Sequence, residues 1–358
     1  MSSATSSERN ALAVLRTRLA SSWWSLFLSG ASVWVVYLVG SALYRWGIRD
    51  AAFGTTPEAC EGTTGACWAV IGSFWRIFLV GLYPEAERWR AFSALIMVGL
   101  VAFGLALPQV RARRSFPALA VALVVSAFVL VRGGIPGLAV VETRLWGGLL
   151  ITIGLSSVGL GVGIPFGILL ALGRRSVDYP IIRAGCVAFI ELVRSVPFIL
   201  VLIFGSILLP MCLPPTWDVD LLLRAQIAVI MSAAANSAEI VRGGMAAIGR
   251  GQEEAADALG LSYWQSMGFV ILPQALRTMV PVFVSMFIIF LKDTSLVVVV
   301  GLTDLLGAAR LATGNPDWIG RTLETYVFAG ALYFLMCFTI SRSSRRLELV
   351  VADPGRAR

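Results

Sequence analysis

A lysine and an aspartate stand side by side in a long apolar run, at Lys292 and Asp293 in the segment 279–301. Charged side chains inside a membrane span are costly, and they normally serve a function. Lys292 could attract a carboxylate and Asp293 an amino group, so the pair suits a zwitterionic ligand. We expect the helix to break here, because half-helix ends expose backbone groups that bind ions and zwitterions.

The same charges also have a purely structural interpretation, which the sequence leaves open. The two charges could pair with each other, or with Glu239 or Arg194, and so hold neighbouring helices together. Thr294 and Ser295 follow directly, and their hydroxyls suit the N-cap of a second half-helix.

The composition excludes most soluble classes of protein. Of the 358 residues, 58% are hydrophobic and 14% are charged, against about 45–50% and about 25% in a typical soluble domain. The chain has no histidine, so it has no imidazole base and no histidine metal ligand. No Gly-Lys dipeptide occurs, so a phosphate-binding P-loop is absent. We therefore predict no catalytic residue, no metal site, no cofactor in this chain and no nucleic-acid partner.

The elements that must position these residues are membrane helices. A span needs about 20 apolar residues to cross about 30 Å of hydrocarbon. Eight stretches qualify or nearly so, at 23–44, 91–110, 116–132, 145–173, 195–213, 221–241, 279–301 and 324–341. The predicted fold is an all-α, polytopic transmembrane helix bundle. We interpret 68–83 as an interfacial or re-entrant helix rather than a ninth span, because Arg76 would be expensive in lipid.

Arginine predicts the orientation of the bundle. With both termini inside, the inner segments hold 18 of the 28 arginines, including the clusters 111–114 and 342–346. The positive-inside rule therefore favours a cytoplasmic N-terminus, 1–22, and a cytoplasmic tail, 347–358. The segment 76–90 opposes this assignment, since it places three arginines outside.

The long outer loop, 45–90, contains Cys60 and Cys67. These cysteines form either a disulfide that closes the turn-prone stretch between them or two unrelated free thiols. The loop belongs to a predicted N-terminal extension, 23–135, with three spans. A Gly- and Pro-containing stretch at 132–137 separates this extension from the predicted transport domain, 144–346, with five spans.

A polar loop of unusual length, 242–277, joins two of the later spans. We predict a short helix that stops at Gly260, a second helix that begins near Ser262, and a break at Pro273. Two short helices at right angles would form a rigid knob that docks into a groove on another protein. The alternative is a solvated linker.

This loop resembles the EAA loop of binding-protein-dependent ABC importers. The pattern is Glu254-Ala255-Ala256, three residues, Gly260, nine residues, Val270 and Leu272-Pro273, with valine where the family has isoleucine. In that family the loop forms coupling helices that seat in the ATPase subunit. The resemblance implies ATPase-coupling roles for Gly251, Gln252, Glu253, Glu254, Ala255, Ala256, Gly260, Leu272 and Pro273.

Three further segments resemble polar-amino-acid permeases, namely 191–197, 238–244 and 291–296. The N-terminal spans and paired cysteines resemble the larger permease subunit of general L-amino-acid importers. The implied architecture is a type I ABC importer core of five spans plus three N-terminal spans. Candidate residues of the translocation path are Arg194, Glu239, Lys292, Asp293, Thr294 and Ser295. The sequence departs from the family pattern at Ser195, Asn236 and Ser285.

The resemblance implies a non-catalytic permease subunit in the bacterial inner membrane that moves L-amino acids, of broad or polar specificity, from periplasm to cytoplasm. The implied partners are an ABC ATPase dimer that binds the ATP, a second permease subunit in a hetero- or homodimer, and a periplasmic amino-acid-binding protein. The alternative is an ion-coupled secondary transporter that uses Lys292 and Asp293. It would show inverted repeats, which the sequence lacks, and would leave the loop 242–277 without a role.

Overall fold

A computed structural model describes residues 23–352, except 112, 177, 213, 215 and 218. Side chains are described for the same residues, except 106, 108, 111 and 345–352. The predicted N-terminal segment 1–22 and residues 353–358 of the predicted tail lie outside the described residues. The described part of the chain is helical and contains no β-strand, as the apolar composition predicts.

Twelve helices organise the described residues. In chain order they are α1 (Trp23–Tyr44), α2 (Ala69–Val80), α3 (Arg88–Ala106), α4 (Phe116–Arg132), α5 (Gly148–Arg175), α6 (Pro180–Ser195), α7 (Phe198–Cys212), α8 (Leu221–Ala246), α9 (Arg250–Ala258), α10 (Tyr263–Val300), α11 (Leu305–Thr313) and α12 (Thr322–Ala352). Short helical turns lie at Arg45–Arg49, Pro57–Cys60, Glu85–Glu87, Pro108–Arg111, Thr143–Leu145 and Pro316–Trp318.

Among the described residues, six helices are long and apolar enough to cross a membrane, and seven if α6 and α7 together form one bent span. The bend between these two helices is 108° and falls at Pro197, whose ring disfavours helix at the preceding residue. The eight predicted spans all overlap helices, but α4 has only 17 residues, so the count of eight stays a prediction. With 12 residues, α2 is only about 18 Å long, too short for a ninth span.

The first compact unit of the chain ends at Ser73. Its helix α1 has no buried residue, as expected for a span that faces lipid. The loop that follows is closed by a disulfide between Cys60 and Cys67, whose Cα atoms are 5.6 Å apart. Within the loop, the indole Nε1 of Trp68 donates to the carbonyl of Gly47 at 2.7 Å. The disulfide, rather than two free thiols, is therefore the arrangement in the structure.

The second compact unit runs from Phe74 onward. One apolar cluster in it contains residues on both sides of the predicted boundary near residue 135, among them Val131 from α4 and Leu155 from α5. The helices α3 and α4 therefore share a core with the helices that follow them.

The helices α5 and α8 pack closely against each other in this unit. A Cβ atom at Gly159, Gly163 or Gly167 of α5 would lie only 2.4–2.6 Å from a side-chain atom of α8. These glycines are four residues apart, so they share one helix face. Close packing of the two helices depends on these positions, because glycine alone leaves room for the neighbouring helix.

Two predicted breaks in the chain are wrong. The helix α10 passes through Pro273 and Lys292 as one continuous element of 38 residues. A π-helical segment, Ser266–Ile271, precedes Pro273, and its wider turn accommodates the proline ring that would clash in a regular α-helix. No pair of short helices at right angles exists here, since the second one is the beginning of α10.

At its other end α10 narrows instead of breaking. The α-helix continues to Asp293, and a 3₁₀ segment, Thr294–Val300, follows with helical dihedral angles at Thr294. The predicted second half-helix is therefore a tighter continuation of the first. It ends at Gly301, whose φ of 94° lies in the left-handed region, where glycine is favoured.

Candidate functional site

The helix α9 and the start of α10 have the end signals that the sequence predicts. After α9, Gly260 adopts a φ of 73°, which a residue with a side chain rarely adopts. The next helix begins with a capping box, in which the amide of Ser262 donates to Oε1 of Gln265 at 2.9 Å. The predicted end of the first helix at Gly260 and the predicted beginning of the next near Ser262 are therefore confirmed. The helix α9 is a separate short helix.

One face of α9 packs against the protein, and the rest is exposed. Ala256 is buried, whereas Glu254, Ala255 and Gly260 are exposed. Three large apolar side chains that follow along this stretch are also exposed, with exposed fractions of 80% for Leu259, 67% for Trp264 and 78% for Phe269. Exposed apolar side chains of this size are typical of surfaces that dock to another protein.

Polar contacts hold α9 on the ends of the longer helices. The carboxylate of Glu253 pairs with Arg175, at the end of α5, at 2.5 Å. Gln274 of α10 donates to Oε1 of Gln252 at 3.2 Å. Of the residues predicted to face an ATPase, Glu253 therefore contacts its own chain, and sequence reasoning missed its partner Arg175.

A second group of charges surrounds Glu239 near the end of α8. Its carboxylate lies 2.6 Å from Arg174 of α5, 2.9 Å from Arg242 of α8 and 3.8 Å from Arg194 of α6. Arg174 also pairs with Glu191 of α6 at 3.1 Å. This cluster, which we call the Glu239 cluster, joins three helices and brings together two predicted path residues, Glu239 and Arg194.

The structure places Lys292 apart from these charges. Among the described residues, neither Lys292 nor Asp293 has a carboxylate or cationic partner within 4.0 Å. The predicted alternative, in which the two charges pair with each other or with Glu239 or Arg194, therefore corresponds to no ion pair within 4.0 Å in the described part of the chain. The hydroxyl of Thr294 donates to the carbonyl of Leu291 at 2.8 Å, so it bonds its own helix.

Lys292 and Ser295 instead line a cavity of about 220 Å³ between α10, α11 and α12. Tyr326 and Tyr333 of α12 line the same cavity. We call this the Lys292 cavity. Sequence reasoning missed both tyrosines, although phenol groups in an otherwise apolar predicted span were the available signal.

A buried carboxylate lies close to this cavity. Asp304 N-caps α11, where its Oδ1 accepts from the amide of Gly307 at 2.8 Å, and its Oδ2 accepts from the hydroxyl of Tyr333 at 2.9 Å. Burial raises the pKa of Asp304 above its ordinary value, although these hydrogen bonds oppose the shift. Sequence reasoning missed this residue too, and its N-cap position before an apolar helix was the signal.

Comparison with known families decides which class of membrane protein this is. The family model described as the inner membrane component of binding-protein-dependent transport systems matches residues 163–348. The chain belongs to this family. As a member of it, the chain is a multi-pass inner-membrane protein of an ATP-driven transport system.

Relatives of this inner-membrane component extend beyond the matched region. The chain is 41% identical over 341 residues to the inner membrane amino-acid ABC transporter permease protein YhdY of Escherichia coli K12, covering 94% of this chain and 92% of that protein. It is 36% identical over 361 residues to the glutamate/glutamine/aspartate/asparagine transport system permease protein BztC of Rhodobacter capsulatus, covering 85% and 80%. Both matches therefore include much of the N-terminal extension.

A solved structure resembles part of this chain. The crystal structure of an amino acid ABC transporter with histidines matches at a TM-score of 0.50 and 29% sequence identity. The match covers 57% of this chain and 91% of that chain.

The three departures from the family pattern are bonded within their own helices. Ser195 donates to Leu192 at 2.9 Å, Asn236 donates to Ser232 at 2.8 Å, and Ser285 donates to Pro281 at 3.1 Å. Each acceptor is a backbone carbonyl three or four residues earlier, which is the usual local bond of such side chains in helices.

Proposed function

We propose that this chain is the permease subunit of an ABC importer for L-amino acids of polar or broad specificity. Similarity to YhdY at 41% identity across 94% of the chain carries the proposal. The name of BztC, a permease for glutamate, glutamine, aspartate and asparagine, supports polar amino acids as the substrate class. The alternative of an ion-coupled secondary transporter is not favoured, because membership of this family implies a separate ATPase.

The exposed part of α9 is the proposed contact with the ATPase. Glu254 and Ala255 are exposed on a helix that Arg175 and Gln274 hold in place. Because these contacts attach α9 to α5 and α10, a movement of the bound ATPase would be passed on to those helices. The proposed partners are an ABC ATPase dimer, which binds the ATP, a second permease subunit and a periplasmic amino-acid-binding protein.

The proposed path for the amino acid includes the Lys292 cavity. Among the described residues no carboxylate lies within 4.0 Å of the Lys292 ammonium group, which leaves it able to pair with the carboxylate that every amino acid carries. Of the predicted path residues, Lys292 and Ser295 line this cavity. Arg194 and Glu239 belong to the Glu239 cluster, where their charged groups lie 3.8 Å apart, and neither residue lines the Lys292 cavity.

Coupling is tested by Glu254→Lys and by Gly260→Asp in the complete transporter. We expect either change to abolish amino-acid uptake and to reduce co-purification of the ATPase, because one reverses a charge on the docking helix and the other forces a side chain into a left-handed backbone conformation. Uptake of labelled amino acid into vesicles and pull-down of the ATPase provide the two measurements.

Glu85→Lys, on an exposed turn outside the loop 242–277, is the matched charge reversal and should leave uptake unchanged. Uptake and assembly that survive both α9 variants would contradict the coupling role. Competition of uptake by acidic, basic and neutral amino acids identifies the substrate range.

A further inference from the structure

A cavity of about 640 Å³ lies where α5 and α8 end and where α6 and α9 begin. Its lining is strongly basic. The charged residues that line it are Arg174, Arg175, Arg183, Arg242, Arg250 and Glu253. Five guanidinium groups against one carboxylate leave an excess of positive charge, which favours an anionic ligand.

Two of these arginines lack the partners that the others have. Arg174 and Arg242 face Glu239, and Arg175 faces Glu253. Arg183 and Arg250 are exposed, and neither forms an ion pair or a side-chain hydrogen bond with any described residue.

The chemistry of the lining indicates the kind of anion. Guanidinium groups bind phosphate oxygens through paired hydrogen bonds, so arginine is favoured where a phosphate is recognised. Apolar side chains, among them Val187 and Met245, line the same cavity. The cavity also lies at the ends of two candidate spans, Gly148–Arg175 and Leu221–Ala246, which is the depth of lipid headgroups in a bilayer.

We propose that this cavity binds a phosphate-bearing anion, with Arg183 and Arg250 as its principal ligands. Two sources share this chemistry, an anionic phospholipid headgroup and free phosphate. The apolar part of the lining and the position at the ends of the spans favour the phospholipid, because basic pockets between membrane helices commonly hold anionic headgroups.

The test measures lipid retention by the full-length chain, purified in detergent and immobilised. Labelled phosphatidylglycerol or phosphatidylcholine is added in mixed micelles, and the retained lipid is counted. We expect Arg183→Gln with Arg250→Gln to lower retention of phosphatidylglycerol about tenfold, because two charge-assisted contacts are lost. Retention of phosphatidylcholine should not change.

The matched control is Arg113→Gln with Arg114→Gln. It removes the same charge from two exposed arginines that do not line the cavity, and it should keep the retention of phosphatidylglycerol at the level of the unmodified protein. The double variant Arg183→Lys with Arg250→Lys keeps the charge and should keep part of the binding. It preserves the test if the glutamine variant fails to fold.

A second arm distinguishes the two sources. Millimolar inorganic phosphate is added as a competitor. If it displaces the lipid, free phosphate is an occupant of the cavity; if it does not, the lipid headgroup is the occupant. Both results support the proposal. Equal retention of the two lipids, or unchanged retention in the glutamine variant, overturns it. Loss of ATPase co-purification with unchanged lipid retention also overturns it, in favour of an acidic protein surface.

Discussion

The charged residues of the transport helices differ in whether they form ion pairs. Glu239 has three arginine partners, so it stabilises the contact of α5, α6 and α8. Lys292 has no carboxylate within 4.0 Å among the described residues and lines a cavity. A charge inside a membrane protein that lacks a partner within the chain is available to a ligand.

The proposed role of Lys292 gives a prediction for uptake. Lys292→Met should raise the KM for amino-acid uptake about tenfold or more, because a charged hydrogen bond to the substrate carboxylate is lost. Lys292→Arg should restore most of the affinity. The measurement is the initial rate of uptake into vesicles at several substrate concentrations.

Arg310→Met is the control, since Arg310 is an exposed cation of α11 that does not line the Lys292 cavity. An unchanged KM in Lys292→Met, or the same change in both variants, would rule out a substrate contact by the lysine.

Asp304 gives a prediction for pH. Its folded-state pKa is raised by burial above the ordinary value of 3.8, so the folded state holds this proton more tightly than the unfolded state does. The free energy of unfolding should therefore fall as pH rises from 3.8 through the raised pKa. Asp304→Asn should reduce this dependence.

Thermal unfolding of the detergent-solubilised protein across this pH range measures the effect, with Asp317→Asn, an exposed aspartate, as the control. If Asp304→Asn leaves the pH dependence of the free energy of unfolding unchanged, another titrating group causes that dependence.

At the scale of elements, the contact between α5 and α8 depends on glycine. Gly159, Gly163 and Gly167 leave no room for a side chain. The neighbouring Gly161 of the same helix has no atom within 4 Å of a built Cβ. Substitutions at the contact glycines and at Gly161 should therefore have different effects on stability.

We expect Gly163→Leu to lower the free energy of unfolding by about 1–3 kcal/mol, because a side chain there overpacks the contact with Ala233. Gly161→Leu makes the same change in composition and in helix propensity, but it meets open space and should be neutral or slightly stabilising. Thermal unfolding in one detergent measures both. Equal destabilisation by the two variants would contradict the assigned packing.

Local signals in the sequence were enough to predict some of these elements. Gly260 and Ser262 identified the ends of α9 and α10, because capping depends on residues a few positions apart. The predicted break at Lys292 failed because the helix continues as a 3₁₀ segment, which packing with other helices decides. The contacts of Glu239 with Arg174 and of Asp304 with Tyr333 were missed, since they join residues that are far apart in the sequence.

The proposed contact with the ATPase gives the transport helices an orientation in the membrane. If α9 contacts a cytoplasmic ATPase, the ends of α5 and α8 face the cytoplasm. The topology predicted from the arginines independently places the loop with Cys60 and Cys67 in the periplasm, where disulfides persist. The three free cysteines, Cys186, Cys212 and Cys337, lie elsewhere.

A labelling experiment tests this orientation. In a variant whose three free cysteines are replaced by serine, Leu259→Cys should react with a membrane-impermeant maleimide in inside-out vesicles and not in intact cells, because Leu259 is 80% exposed next to α9. Cys60 and Cys67 should react only after reduction, and then from the outside. Labelling of Leu259→Cys in intact cells would reverse the proposed topology.

The glycine contact between α5 and α8 also limits how the protein can change shape. Because few side-chain atoms separate the two helices at Gly159, Gly163 and Gly167, we expect α5 and α8 to move together as one unit. We expect the change of shape during transport to occur at other helix boundaries, such as the boundary between α10 and α12. An engineered disulfide between α5 and α8 should therefore leave transport intact. A disulfide between α10 and α12 should stop transport.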